Sequence, residues 1–169
     1  MARAGCDSVD IGTDAAAPAT LAALGKPFGA AEIRAAADGC RRAGIRYSHS
    51  LILGGPGETP ETLEETFWVI EETRPTAVIA MLGVRLYRDT PLGRQALTEG
   101  WMDEIGLEPL FYISPAVRDT LESWSARVMA EHPRWYFPGL AGARMERYLR
   151  AVRKRGVKGP LWALLGATA

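Results

Sequence analysis

A chain of 169 residues, 47% apolar and 24% charged, has the size and composition of one ordinary globular domain and is too short for two. Its 20 basic and 20 acidic residues cancel, which removes a whole-molecule electrostatic case for nucleic acid or a membrane surface. No segment reaches the ~20 consecutive apolar residues of a membrane span, and the opening Met1-Ala2-Arg3-Ala4-Gly5-Cys6 lacks the apolar core of a secretory signal, so a cytoplasmic protein is expected.

In chain order, Ser8 to Gly12 reads as a short strand, followed by a small-residue loop through Ala15-Ala16-Ala17-Pro18 and a short helix over Thr20 to Leu24. Ala30 to Ala43 carries apolar residues at helical spacing (Ile33, Ala36, Ala37, Cys40), with Arg41 and Arg42 near its end and Gly44 to close it. Ile45 to Leu53 is the second strand. It runs into Gly54-Gly55-Pro56-Gly57-Glu58-Thr59-Pro60, where the glycines allow a sharp turn. Thr59 suits a helix N-cap and Pro60 the first helical position.

The helix that follows extends to about Glu72 and buries Leu63, Phe67 and Ile70, and Pro75 ends it. Ala77 to Leu86 reads as a third strand, nearly all apolar, as expected where both sheet faces are covered. Asp89-Thr90-Pro91 opens another helix that reaches about Thr98. Alternating strands and helices define a parallel α/β fold, with ligands expected at the C-terminal ends of the strands.

After Gly100 the character changes. Val117 to Glu131 and Gly142 to Arg155 read as helices. Between them, His132-Pro133-Arg134-Trp135-Tyr136-Phe137-Pro138-Gly139 places three aromatics in a row, either packed on the sheet or lining a pocket. Arg144, Arg147, Arg150, Arg153, Lys154, Arg155 and Lys158 gather near the C-terminus. They read as a solvated helix face favoured by the helix dipole, with RNA or acidic-lipid contact as the sharper alternative. The apolar stretch Gly159 to Leu165 is expected to dock.

Local chemistry is sparse. The Gly54–Gly57 turn lacks both the Gly-Lys-Ser/Thr ending of a P-loop and the G-x-G-x-x-G spacing, so it reads as a structural turn with an anion-friendly helix start. His49 alone is weak evidence for a general base, and Glu64-Glu65 and Glu71-Glu72 read as solvated carboxylates. Cys6 and Cys40, the two cysteines, are too far apart for a CxxC pair and read as small buried thiols, and no metal ligands are assigned.

An ordered set of short segments extends this reading. Gly5-Cys6-Asp7-Ser8-Val9-Asp10-Ile11-Gly12-Thr13-Asp14, Leu24-Gly25-Lys26, Ala43-Gly44-Ile45, Leu53-Gly54-Gly55-Pro56-Gly57-Glu58-Thr59 and Tyr87-Arg88-Asp89-Thr90-Pro91-Leu92 occur in that order. Together they resemble the C-terminal half of radical S-adenosylmethionine enzymes, particularly the branch with an upstream cobalamin-binding domain.

The resemblance covers about residues 3 to 100. It implies an α/β fold, the C-terminal part of a partial (β/α)6 TIM-like barrel (about its strands four to six), over residues 1–100. Residues 101–169 then form a mainly α-helical extension. It also implies S-adenosylmethionine and a [4Fe-4S] cluster as cofactors in the complete enzyme, with cobalamin in that branch, and radical-based methylation or related chemistry on a small-molecule or lipid-like substrate.

Carried over position by position, the resemblance implies that Asp14 hydrogen-bonds the methionine or ribose part. It puts Lys26 near the methionine carboxylate and gives Ser50 a ribose contact. Ile52, Leu53 and Gly54 approach the adenine, and Val84 to Leu86 complete the wall. Asp14 departs from the longer Glu or Gln of relatives, and Ser50 from an Asp. The CxxxCxxC segment that ligates the cluster is absent from this sequence. The chain is therefore expected to be a fragment, or half of a split enzyme that pairs with an N-terminal half, and inactive alone. A non-catalytic interaction domain of the same descent is the alternative. RNA modification is a third reading, supported only by the basic C-terminal helix.

Overall fold

The structure, a computed structural model, describes residues 1–106, 108–140 and 142–167. In chain order its elements are β1 (Ser8–Asp14), α1 (Pro18–Ala23), α2 (Ala30–Arg42), β2 (Arg46–Leu53), α3 (Pro60–Thr73), β3 (Ala77–Leu82), β4 (Val84–Arg85), α4 (Pro91–Thr98), β5 (Phe111–Tyr112), α5 (Leu121–Glu131), β6 (Trp135–Tyr136) and α6 (Gly142–Lys154). Short 3-10 turns cover Ala2–Ala4 and Leu161–Ala167. Among the described residues the principal sheet is parallel and four-stranded in the order β1-β2-β3-β6, and β4 and β5 form a separate antiparallel ribbon.

Period-two alternation sorts the side chains of this sheet into two unlike faces. Tyr47, His49, Leu51 and Leu53 of β2, with Val78 and Ala80 of β3 and Trp135 of β6, are buried beneath the helices. Leu63, Phe67 and Ile70 of α3 join the same core, as the helical spacing predicts. Val117, Leu121 and Val128 add to it from the far side of Gly100. The opposite face carries Asp10, Gly12, Ser48, Ser50, Ile52, Ala77, Ile79 and Met81. Only its lower part is covered, by Trp162, Met145 and Leu149 packed on Ala77, Ile79 and Tyr136. At its upper end Met81 remains 43% exposed. The expectation of a sheet covered on both faces is therefore corrected: an apolar run along β3 marks one buried face and one covered only in part, with Asp10, Gly12 and Met81 exposed.

Two boundaries also move. The third strand ends at Leu82 rather than Leu86, because Gly83 adopts φ 81° and turns the chain into the ribbon. A side chain at Gly83 would lie 3.0 Å from the Tyr112 carbonyl oxygen, so the close crossing of the ribbon over the strand end requires glycine. The aromatic run His132–Gly139 packs, with Trp135 and Phe137 buried in the main core, and it contributes a fourth parallel strand through the pairs Val78–Trp135 and Ile79–Tyr136.

Helix ends follow the sequence closely. Thr59 caps α3 by accepting from the Thr62 amide, and the Thr62 hydroxyl accepts from the Thr59 amide. Thr90 caps α4: its hydroxyl accepts from the Gly93 amide at 3.1 Å and donates to the Tyr87 carbonyl at 2.7 Å. Thr90→Ala removes both bonds and is expected to cost about 1 kcal/mol, lowering Tm by roughly 2–4 °C for a domain of this size. A thermal melt checks this.

Glu64 and Glu71 do not lie free in solvent as expected. Glu64 accepts from the Trp124 indole at 2.7 Å and Glu71 from the buried Trp135 indole at 2.8 Å, tying α3 to the later segments. Glu72 pairs with Arg34 across α2 and α3, while Glu65 is exposed. Cys6 and Cys40 are half-buried rather than buried. On α6, Arg147, Arg150, Arg153 and Lys154 are exposed, and Arg153 donates to the Val157 and Gly159 carbonyls beyond the helix end. The side chains of Arg144 and Leu165 lie outside the described residues. No helix among the described residues is long and apolar enough to cross a membrane.

Candidate functional site

Parallel strands put all their C-terminal ends at one edge of the sheet, and the three segments that leave this edge carry most of the residues singled out from the sequence. Asp14 ends β1 with φ 63°, in the left-handed region, next to a register shift in the β1–β2 pairing. That conformation turns the chain sharply into Ala15-Ala16-Ala17, all fully buried, where the Ala16 and Ala17 amides donate to the Thr66 hydroxyl of α3. The turn brings Asp14 to Lys26, which lies just beyond α1. The two form an ion pair with side chains 22% and 26% exposed. The Lys26 ammonium also lies 6.0 Å from the Phe28 ring centre.

Ser50 lies on the open face of β2 and is committed to a neighbour the sequence analysis did not single out. Its hydroxyl meets both Asp10 carboxylate oxygens, at 2.9 and 3.1 Å, and Ser48 donates to the same carboxylate at 2.7 Å. The sequence signal for Asp10 is its position two residues from Gly12 on the polar alternation of β1, but its partners depend on the strand register. Ile52 follows Ser50 on the same face and is half-buried. Leu53, fully buried, points into the helix-side core instead.

The Gly54–Gly57 turn is filled from within. Glu58, 1% exposed, bends back so that its carboxylate accepts from the Gly54 amide at 3.2 Å, the Thr62 hydroxyl at 2.8 Å and the Thr20 hydroxyl at 3.2 Å. Burial pushes this carboxyl above its usual range, and the hydrogen bonds oppose that rise only in part. The chain's own carboxylate thus occupies the anion-friendly turn. Ser114 completes the clamp: its amide donates to the Gly54 carbonyl and its hydroxyl to the Glu58 carbonyl, both at 2.8 Å. Gly54 has φ 84°, and a side chain there would lie 2.7 Å from Leu121 and 3.3 Å from Ile113.

Beyond β3, Val84 is half-buried, and its methyl carbon would lie 3.3 Å from a side chain on Gly55. Leu86 is 3% exposed and packs in a separate apolar cluster with Ala96 and Ile105. The structure therefore brings Asp14 to Lys26 and Val84 to the glycine turn. Ser50 and Ile52 stand apart on the open face, and the side chains of Leu53 and Leu86 are turned into packed interiors.

His49 is no general base. It is fully buried on the helix side, bridging the Thr13 hydroxyl at 2.6 Å and the Thr73 hydroxyl at 3.1 Å, and burial lowers its pKa to about 4. Among the described residues there is no group of three or more His, Cys, Asp or Glu placed to hold a metal ion.

Comparison with known proteins places this architecture. No protein-family model and no curated protein matches the chain. Solved structures share its fold, and two of them show what it is similar to. One is the radical S-adenosylmethionine methyltransferase TsrM from Kitasatospora setae with tryptophan substrate and a SAM analogue (aza-SAM) bound. It has a TM-score of 0.77 and 21% identity over 98% of this chain and 41% of that one. The other is TsrM from the same organism with cobalamin and [4Fe-4S] cluster bound, with a TM-score of 0.76 and 20% identity over 98% of this chain and 39% of that one. The chain thus has the fold of part of a radical S-adenosylmethionine methyltransferase and spans about two fifths of the length of those structures. The ordered motifs pointed to the same group of proteins.

Proposed function

We propose that this chain is the C-terminal portion of a radical S-adenosylmethionine enzyme, with residues 1–100 forming the later strands of a partial (β/α)6 barrel and residues 101–169 its extension. The observation that carries this reading is the Asp14–Lys26 ion pair at the C-terminal end of β1, beside a partly uncovered parallel face. An amino-acid zwitterion fits such a pair. Lys26 takes its carboxylate and Asp14 its ammonium, so each half-buried charge exchanges one opposite partner for two. Ser50, already polarised by Asp10, offers its hydroxyl to a ribose. Ile52, the backbone of Leu53 and Gly54, and Val84 with the backbone of Leu86 flank the adenine side.

A [4Fe-4S] cluster, when bound, supplies the electron that cleaves S-adenosylmethionine to a deoxyadenosyl radical. This chain's residues do not fit the cluster. Its two cysteines are far apart in sequence and the described residues hold no metal-ligating group, so its ligands belong to an N-terminal half. That half would also carry cobalamin, if the enzyme follows the TsrM structures.

In support of such a half, β1 is an edge strand among the described residues, and Ile11, Phe28, Ile33 and Ala36 line an apolar hollow of about 240 Å³ beside it, against α2. A parallel strand and its crossover helix satisfy the unpaired backbone and fill such a hollow together. The completed enzyme would carry out methylation or related radical chemistry on a small-molecule or lipid-like substrate.

The test is equilibrium binding of S-adenosylhomocysteine to the chain. Lys26→Ala is expected to weaken binding by about tenfold or more, the worth of one charge-assisted hydrogen bond. Asp14→Asn keeps a residue tolerant of the left-handed backbone while removing the charge, and is expected to weaken binding comparably. Unchanged affinity in both variants would rule out this site.

A further inference from the structure

At the N-terminal ends of the strands, away from the proposed cofactor site, the fold draws the two cysteines of the chain towards each other. Cys6 precedes β1 and Cys40 sits in the last turn of α2. Backbone hydrogen bonds tie both to one spot. The Cys40 carbonyl accepts from the Ile45 amide at 2.9 Å, part of the closure of the helix at Gly44. The next amide, that of Arg46, donates to the Asp7 carbonyl at 3.0 Å. Cys6 adjoins Asp7, and Cys40 is bonded to the neighbour of Arg46, so the two residues flank the point where β1 and β2 begin to pair.

The side chains follow the backbone. Cys40 continues, at helical spacing, the row of Ile33 and Ala37, the buried residues of α2, which puts its thiol on the sheet side of the helix. The Cys6 thiol donates to the Ser8 carbonyl at 3.5 Å and is held along the strand. Both cysteines are half-buried. Burial lifts the Cys40 thiol above its ordinary range, and the charge of Cys6 lifts it further. One thiolate acts on another in this way only at close range. Cys6 also follows Gly5, at φ 84°, and a 3-10 turn with no buried residue. Its backbone can therefore reach the spacing of a disulfide without disturbing the sheet.

We propose that Cys6 and Cys40 are a reversible redox pair that closes to an intramolecular disulfide by exchange with a low-molecular-weight disulfide. Cys6 makes the first attack, because burial keeps Cys40 protonated. Its thiolate displaces one thiol from the small disulfide and leaves a mixed disulfide on Cys6. Cys40 then gives up its proton, attacks the Cys6 sulfur and expels the second thiol. The two electrons and two protons lost by the protein thiols reappear in the two small thiols released.

The crosslink staples the end of α2 to the start of β1. The same helix supplies Ile33 and Ala36 to the apolar hollow beside that edge strand. Oxidation thus fixes the surface onto which the proposed N-terminal half would fit, while the pair itself depends on neither that half nor a cofactor.

The experiment equilibrates the full chain in buffers of oxidised and reduced glutathione, with and without urea, alkylates the remaining thiols, and reads intact mass and tryptic peptides. The sequence holds two cysteines, so a crosslink within one chain has a single possible pairing. The expected product is lighter by two hydrogens, carries the Cys6 and Cys40 peptides joined, and reverts with dithiothreitol. The folded chain should hold its disulfide against about tenfold more reduced glutathione than the chain in urea, because a bond that stabilises the fold is stabilised by it. Closing the loop should also raise Tm by roughly 5–10 °C. Glutathione adducts without a crosslink overturn the proposal, as do disulfide-linked dimers in place of the intramolecular bond. A disulfide no more stable in the folded chain than in urea overturns it as well.

Discussion

Glu58→Ala is expected to destabilise the protein by about 3–5 kcal/mol, the cost of leaving several buried donors without an acceptor, whereas Glu58→Gln is expected to change stability at neutral pH by less than about 1 kcal/mol. The contrast follows from what surrounds the carboxylate. It accepts from the Gly54 amide and from the Thr20 and Thr62 hydroxyls, and burial, its largest influence, raises its pKa with no cation beside it to offset the charge. Alanine strips the acceptor from all of these donors at once.

Glutamine keeps an oxygen for the glycine turn and presents an amide to hydroxyls that can accept. Thr62 already has the Thr59 carbonyl, 3.0 Å away, as another place for its proton. Because the folded pKa of Glu58 is raised, its protonated form is favoured by the fold. That contribution is present below the unfolded pKa and is lost as pH rises through the folded value. The glutamine variant lacks this loss and should gain on the wild type as pH increases. Denaturant melts of the three proteins at two pH values check both points. An alanine variant as stable as wild type would show that the turn does not depend on its internal carboxylate.

This role explains why the Gly-Gly-Pro-Gly-Glu segment was legible as a strand–turn–helix junction and yet ambiguous as a site. Glycine, proline and a capping threonine announce local backbone geometry, and α3 begins where they say it does. Nothing in their spacing says whether the amides of the turn face a ligand or a side chain of the same chain. Thr20 and Ser114, which settle the matter, are 38 and 56 residues away from Glu58. The same limit hid Asp10. A carboxylate on a strand reads as a solvent-facing residue until the register of β1 against β2 puts it next to Ser48 and Ser50.

Elements defined by their own sequence were read well and elements defined by a partner were not. Periodicity and capping located α2 and α3 to within a residue or two. The two-residue strand β6 sits between Pro133 and Pro138, both loop signals, and owes its existence to pairing with Val78 and Ile79. The nearly all-apolar run from Ala77 to Leu86 concealed the break at Gly83, because each piece feeds a core, Val78 and Ala80 the main one and Leu86 the ribbon's own cluster. Of the candidate site, the Asp14–Lys26 association is the part where sequence and structure meet. The resemblance singled out Asp14 for the methionine or ribose part and Lys26 for the methionine carboxylate, and the fold pairs the two side chains with each other.

Stability should fall by about 3 kcal/mol on the acid side through His49 alone. The ring is fully buried, and its pKa drops from 6.5 to about 4, chiefly through desolvation, with the charge of Asp10 opposing the shift. At ~1.4 kcal/mol for each pH unit between the two values, the difference is about 3 kcal/mol. The sign follows from which state takes the proton first. The unfolded chain protonates His49 near 6.5 while the fold holds it neutral, so this contribution is complete above 6.5 and is lost as pH falls towards 4.

The neutral form is set by its partners. Thr73 gives its hydroxyl proton to the Ile70 carbonyl at 2.6 Å and therefore accepts from Nε2–H, which leaves Nδ1 to accept from Thr13. A second proton on Nδ1 turns the Thr13 hydroxyl from donor to acceptor and leaves its proton the Ile11 carbonyl at 3.3 Å, and no carboxylate touches the ring to balance the charge. His49→Gln removes the titration, so the stability of wild type relative to this variant should decline by about 3 kcal/mol between pH 7.5 and pH 4. Subtracting the variant cancels every other group that titrates in that window. A difference that stays flat with pH would mean that the imidazole is not held neutral between the two threonines.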